Sequence, residues 1–229
     1  LVVIAAGANQ KPGETRMDLI HKNASIFKDI VGQVMASGFN GIFLVATNPL
    51  DVMTYLTYKY SGLPANQVIG TGTSLDTARL QLIIGKKLCI NPKNIQGYVI
   101  GEHGDSEFIP WSNANISLQN IKEFFSQDEL DDIEDDVRNA AYEIINKKGA
   151  TYYGIGMAMV RITNAILGNE NTIMALSVYD DNNDVYIGLP AILNETGIKG
   201  RIKLKLTPEE ETKLQKSIDI IKENIKGVE

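Results

Sequence analysis

The chain has 229 residues, 44% of them hydrophobic, and 28 acidic against 22 basic side chains give a formal net charge of −6. That length holds one large domain or two small ones, and the dispersed basic residues exclude the phosphate-binding stripe of a nucleic-acid partner. The single cysteine, Cys89, excludes an internal disulfide, and no apolar run reaches the ~18 residues of a membrane span or forms a signal segment, so a soluble, cytoplasmic protein is expected.

Leu1 to Ala5 suits a strand of a parallel sheet buried on both faces. Such a strand needs neighbours on both sides, and the sequence opens on it without a methionine. The expectation is that the given sequence begins inside a larger protein. Ala6 to Arg16 is a polar loop broken by Gly7, Pro12 and Gly13. From Leu19 to Val34 apolar residues recur at spacings near 3.6, predicting a helix that ends about Ser37 and Gly38. Gly41 to Val45 is a second buried strand running into Ala46-Thr47-Asn48-Pro49. Asp51 to Tyr60 reads as a short helix and Gln67 to Gly70 as a third strand. This alternation predicts a parallel α/β sheet, whose ligands bind at the C-terminal strand ends, where Gly7 and Asn48 both fall.

Thr71-Gly72-Thr73-Ser74 marks a boundary that divides the chain into 1–72 and 73–229. Thr73 or Ser74 can cap a helix over Leu75 to Ile84. Tyr98-Val99-Ile100 reads as a buried strand ending in Gly101-Glu102-His103-Gly104-Asp105, whose glycines let the backbone turn sharply and lift out an imidazole. Ser112 to Leu118 suggests short antiparallel strands. Asp128 to Lys147 is a helix, acidic early and basic late as its dipole favours. Thr151 to Leu167 is another, whose Met157, Met159 and Val160 belong to the core or to a subunit contact. Thr172 to Tyr179 and Val185 to Leu193 form an antiparallel pair. A last strand over Arg201 to Leu206 leads into a helix capped by Thr207-Pro208-Glu209-Glu210.

Four polar stations sit on this apolar scaffold: Gln10 with Arg16, Asn48, Asp76 with Arg79, and His103 with Asp105. The glycine-flanked histidine is either catalytic or a capping residue in a tight turn. Asp76 and Arg79 share one helix face, either as a surface ion pair or pointing together into a pocket. Arginine's fork matches a carboxylate in two hydrogen bonds, and a carboxylate beside His103 raises its pKa and fixes its tautomer, giving a proton donor and acceptor. Arg16, on a loop, could polarise a substrate carbonyl. Two histidines and one cysteine without ligand spacing give no metal site, and His21, beside Lys22, reads as solvated. Residue types leave a Ser-His-Asp hydrolase open, but Gly-x-Ser-x-Gly is missing, as is the phosphate-cradling Gly-x-Gly-x-x-Gly.

Ala6 to Arg16, Ala46-Thr47-Asn48-Pro49-Leu50-Asp51, Leu75-Asp76-Thr77-Ala78-Arg79 and Gly101-Glu102-His103-Gly104-Asp105, in that order, resemble the bacterial-type L-lactate dehydrogenases, in the lactate/malate dehydrogenase superfamily. Gly149 to Gly156 and Val185 to Pro190 extend the likeness. The resemblance implies an α/β fold, the C-terminal half of a Rossmann-type NAD-binding sheet in 1–72 followed by an α+β catalytic domain in 73–229. It implies NAD as cofactor, pyruvate and L-lactate as substrates, and a homotetramer that ferments pyruvate to lactate at the end of glycolysis. His103 would be the acid/base, Asp76 would hold its imidazole, Arg79 would grip the substrate carboxylate and Arg16 would polarise the carbonyl. Asn48 and Thr151 would contact substrate. Gly7, Ala8, Ala46, Thr47, Asn48, Thr71 and Ile155 would touch the dinucleotide.

Malate dehydrogenases place arginine at the Gln10 position. A neutral Gln10 leaves the second charge of a dicarboxylate uncompensated, which costs several kcal/mol when buried, so a monocarboxylate is favoured. Other branched 2-oxo acids stay open, because a methylene or two changes discrimination by only ~1–3 kcal/mol. Where many relatives bind fructose 1,6-bisphosphate through an arginine and a histidine, this chain has Gln81 and Gln96, so no such activation is expected. The family's first strands, glycine-rich phosphate loop and ribose-binding acid do not occur in the given sequence. As it stands the chain is expected to lack the pyrophosphate half of the cofactor site. The alternatives are a malate or branched 2-hydroxy-acid dehydrogenase, or a non-catalytic remnant of the fold.

Overall fold

The structure, a computed structural model, describes residues 1–8, 16–149 and 151–228, with Arg16 described by its backbone alone. The chain begins with β1 (Val2–Ile4), and α1 (Arg16–Ala36) turns Ile20, Ala24, Phe27 and Val31 into the interior, as the 3.6-residue spacing predicts. Next come β2 (Phe43–Val45), α2 (Leu50–Ser61) and β3 (Val68–Gly70). β1, β2 and β3 pair in parallel, with Val3 opposite Leu44 and Leu44 opposite Ile69.

After α3 (Ser74–Leu88), β4 (Ile95–Gln96), β5 (Asn115–Ile116) and β6 (Gln119–Asn120) form a small antiparallel sheet. α4 (Gln127–Lys148) starts from a capping box made by Ser126 and Glu129, and α5 (Tyr153–Leu167) follows it. β7 (Thr172–Asp180) and β8 (Val185–Asn194) make the expected hairpin, and β9 (Gly197–Arg201) lies beside β8. α6 (Pro208–Lys226) closes the described chain with Thr207 as cap and Pro208 in its first turn.

The hairpin joins β3 antiparallel at Gly70 and Ser177, so one sheet of order β1-β2-β3-β7-β8-β9 runs through both parts of the chain. Phe43 and Val45 face a core built with α1, α2 and α6, whereas Leu44 and Ile69 face one built with α5. β2 and β3 are buried at every residue because both of their faces are covered. A third core packs α3 and α4 around Ile95, Val99, Trp111 and Ile121.

Several local expectations change. Tyr98 to Ile100 is not a strand of either sheet: Val99 gives its N–H to Thr77 Oγ1 at 3.0 Å, and its carbonyl accepts from Thr73 Oγ1 at 2.6 Å. Two threonine hydroxyls one helical turn apart replace the ladder, and only Ile100 bridges onward, to Phe108. Thr73 therefore spends its hydroxyl on Val99 and makes no side-chain cap, while Ser74 bonds back to the Thr71 carbonyl. The last strand is Gly197–Arg201, before Ile202, not Arg201 to Leu206. On α5 the core takes Ile162, Ala165 and Ile166, while Met157 is 66% exposed and Val160 also faces outward.

Gly72, between β3 and α3, has φ +57 and lies so close to β7 that a Cβ would fall on the backbone of Leu176 and Ser177. Gly38 has φ +81 with open space around it. Gly72→Ala is expected to lower stability by well over the ~1 kcal/mol of left-handed strain alone, which Gly38→Ala should show by itself; paired thermal melts followed by circular dichroism check this.

Candidate active site

Asp76 lies in the first turn of α3, where a carboxylate suits the helix N-terminus, and is only 2% exposed. Its Oδ1 accepts from Arg79 Nη1 at 2.7 Å and its Oδ2 lies 2.9 Å from His103 Nδ1. The i,i+3 pair is therefore buried against a pocket rather than laid on the surface. Burial by itself would lift the Asp76 pKa, but His103 and Arg79 outweigh it and hold the carboxyl below its ordinary value. For His103 burial works against the charge, yet Asp76, chiefly, with Glu107 and Asp51 behind it, raises the pKa from 6.5 to about 9. At neutral pH the imidazole is protonated, and its Nδ1–H is committed to Asp76.

The loop carrying His103 is held at both ends and in the middle. Ile100 and Phe108 exchange backbone hydrogen bonds across its neck, and Gly101, at φ +101, exchanges a second pair with Gly188 of β8. Asp51, in the first turn of α2, accepts the His103 backbone N–H at 2.8 Å and the Ser177 hydroxyl at 2.5 Å. Burial raises the Asp51 pKa to about 6, against the lowering effect of these two hydrogen bonds. Asp105, grouped with His103 in the sequence reading, lies on the outer side of the loop and accepts from the Tyr142 hydroxyl at 3.1 Å. The carboxylate beside the imidazole is Asp76.

A cavity of about 550 Å³ opens at the carboxyl ends of β1, β2 and β3, where α/β sheets bind ligands. His103, Arg79 and Thr151 line it, together with Gly7, Ala8, Ala46, Thr47, Asn48, Thr71 and Ile155, the residues expected against a dinucleotide. Asn23, which sequence reasoning missed, clamps the two strand ends: its Oδ1 accepts from the Ala8 N–H at 2.8 Å, and its Nδ2 donates to the Asn48 carbonyl at 3.0 Å. Thr47 Oγ1 adds a bond to the Ala6 carbonyl at 2.8 Å. A Cβ on Gly7 would meet the Thr47 side chain at 2.6 Å, so the glycine lets the end of β1 pack closely against Thr47 and Asn23. Gln10 falls outside the described residues, as does the side chain of Arg16.

Among the described residues, Asp76, His103 and Glu107 are the cluster of potential metal donors, within 4.8 Å of one another. Both Asp76 oxygens are already taken by Arg79 and His103, which makes the cluster one that handles protons. Asp51, Asn23 and Glu107 were not found from sequence. Asp51 has the signal of an ordinary acid in a first helical turn, and Asn23 sits inside an amphipathic helix; neither pattern announces a contact across 52 or 25 residues.

A half-buried imidazole poised against a buried carboxylate, beside an arginine, at the strand ends of an α/β sheet defines an acid–base enzyme for a small anionic substrate. A model of the lactate/malate dehydrogenase NAD binding domain matches residues 1–70, and one of the lactate/malate dehydrogenase alpha/beta C-terminal domain matches residues 73–229. The chain belongs to the lactate/malate dehydrogenase family. It is 52% identical to an L-lactate dehydrogenase of Bacillus velezensis, over 97% of this chain and 74% of that protein. It is also 52% identical to L-lactate dehydrogenase 1 of Listeria monocytogenes, over 97% of this chain and 73% of that protein. Among solved structures, a lactate dehydrogenase from a Medee basin deep-sea metagenome library superposes with a TM-score of 0.96 at 50% identity, covering 99% and 76% of the two chains. The minor L-lactate dehydrogenase of Enterococcus mundtii in its ligands-bound form gives 0.97 at 45% identity, covering 100% and 76%. The small residues at the strand ends fit the NAD of the N-terminal match.

The raised His103 pKa ties stability to pH. Below 6.5 the folded and unfolded chains both carry the proton and the Asp76 pairing contributes in full; as pH rises through about 9 that contribution is lost. The denaturation free energy is expected to fall between pH 6.5 and 9.5, and Asp76→Asn, which leaves the half-buried imidazole without its anion, should remove most of that slope in denaturant titrations at each pH.

Proposed function

We infer that this chain carries the catalytic machinery of an NAD-dependent L-lactate dehydrogenase, interconverting pyruvate and L-lactate. The observation that carries the reading is the Arg79–Asp76–His103 line of contacts, 2.7 and 2.9 Å long, opening on one cavity with the strand-end residues. Arg79 keeps part of its five-donor fork for a ligand after giving one N–H to Asp76, which suits a substrate carboxylate. With Nδ1 engaged by Asp76, Nε2 is the atom of His103 left for the substrate. In reduction it gives its proton to the carbonyl oxygen as the carbonyl carbon gains a hydride; in oxidation it takes the hydroxyl proton back. The nicotinamide of NAD supplies or accepts that hydride when bound. Asp76 holds the imidazole in one tautomer and stabilises its charged form, and Asn48 and Thr151 shape the substrate end of the cavity.

Arg16 is assigned the polarising of the substrate carbonyl and Gln10 the selection of a single carboxylate, both on residue chemistry alone. The division of labour between 1–72, holding cofactor, and 73–229, holding substrate, is supported by the two family-model matches meeting at residues 70 and 73. The outward-facing apolar side of α5 favours assembly into a homotetramer. Gln81 donates to the Ile95 carbonyl at 3.3 Å and is neutral, as is Gln96, which argues against activation by fructose 1,6-bisphosphate. A cytoplasmic place at the end of glycolysis is assigned from the reaction alone; no described helix is long and apolar enough to cross a membrane.

The test is oxidation of NADH by pyruvate, followed by loss of absorbance. Turnover of pyruvate is expected, with oxaloacetate at least tenfold poorer in kcat/KM, and His103→Asn is expected to lower kcat by a factor of 10² or more. No turnover by the intact protein, or a preference for oxaloacetate, overturns the assignment. Arg79→Gln should act mainly on pyruvate KM, because it removes a charge that holds substrate before and during the reaction alike.

A further inference from the structure

Four residues beyond His103 in the same loop, Glu107 is 6% exposed, and its Oε2 is buried without a hydrogen-bond partner. That oxygen lies 3.8 Å from His103 Nδ1, too far for a hydrogen bond and near enough for a strong charge interaction. The ring therefore has two carboxyls near Nδ1: Asp76, which is bonded and held in its ionised form by His103 and Arg79, and Glu107, whose Oε2 is buried and unbonded. A buried orphan acceptor on a short loop is costly, and serine or alanine would fill the place without that cost. The cations that act on it most are His103 itself, Arg79 of α3 and Arg138 of α4.

We propose that Glu107 is a second, titrating carboxyl partner of His103, and that its charge sets how tightly His103 holds the proton it exchanges with substrate. The proposal rests on the reading of His103 as the acid–base group. Asp76 holds the ring, and Glu107, a positioning residue acting through it, tunes the ring's proton affinity. Burial, then the Asp76 charge, raise the Glu107 pKa well above its ordinary value, so it is neutral when the site is acidic and charged when the site is alkaline. The two ionisations interact across 3.8 Å, and each group's charge opposes loss of the other's charge. The charged groups facing this pair are Asp76 and Arg79 from α3, Asp51 from α2 at the His103 backbone, and Arg138 from α4. None of these is bonded to Glu107 Oε2.

The sequence has two histidines, and exposed His21 is a built-in reference for an NMR titration of the intact folded protein. Glu107→Gln is expected to lower the His103 midpoint by about one pH unit, a tenfold weaker hold on the proton, with His21 unmoved. Glu107→Asp, whose carboxyl ends one methylene further from the ring, should fall between the two. In the unsubstituted protein, carbon NMR of the Glu107 carboxyl should show a midpoint above the ordinary carboxylate range and a second inflection where His103 titrates. During turnover the alkaline limb of pyruvate reduction, which needs the imidazolium, should move down with the midpoint in Glu107→Gln. A His103 midpoint that neither substitution moves, or a Glu107 carboxyl that titrates like a solvated one, overturns the proposal. If the midpoint shifts but pyruvate is not reduced, only the assigned reaction fails; if pyruvate is reduced and the midpoint stays, only the role of Glu107 fails.

Discussion

A single buried carboxylate, Asp76, holds two cations in place, and the rest of the site is arranged so that it can. Removing a carboxylate from water costs several kcal/mol unless each oxygen is matched, and here one oxygen meets Arg79 and the other His103. The match needs α3 and the His103 loop at fixed distance, although 27 residues separate Asp76 from His103. That distance is set by Thr73 and Thr77, whose hydroxyls grip both polar groups of Val99 and lay the loop's stem along the helix that carries the carboxylate. The helix supplies the charge and also the ruler.

The second support comes from the opposite direction. Asp51 on α2 takes the His103 backbone N–H and the Ser177 hydroxyl, linking the loop to a helix of the parallel half and to a strand of the antiparallel half. The loop tip is thereby fixed relative to the strand ends where Asn48 and Thr71 line the cavity. An imidazole on a seven-residue loop would otherwise sample many orientations, and proton transfer tolerates little misplacement. Rigid attachment at three points turns a flexible connection into part of the scaffold.

How far the sequence foretells this follows from what kind of force places each part. Helices α1 and α2, and the β7–β8 hairpin, bury one or both faces along their whole length, so apolar spacing finds them. Asp76 with Arg79 is visible because helical spacing puts residues three apart on one face, and the glycines around His103 announce a turn. Tyr98 to Ile100 misleads because it is as apolar and buried as a strand, while its hydrogen bonds go to threonine side chains that spacing cannot assign. The final strand slips because Ile202, Leu204 and Leu206 alternate like a strand, whereas the pairing with β8 uses the glycine-containing Gly197–Arg201 and shifts register between Ile192 and Leu193. Asp51 stays hidden for the same reason as Val99: its partners lie across the fold. Glu107 stays hidden because a lone acid carries no periodic signature.

The antiparallel hairpin completes a sheet whose first three strands are three residues each, and Val185, Tyr186 and Ile187 share one core with α1, α2 and α6. A nascent chain leaving the ribosome therefore presents α1 and α2 long before the strands that shelter them exist, since Ser177 must find Gly70 across more than a hundred residues. Such a fold is expected to assemble late and all at once.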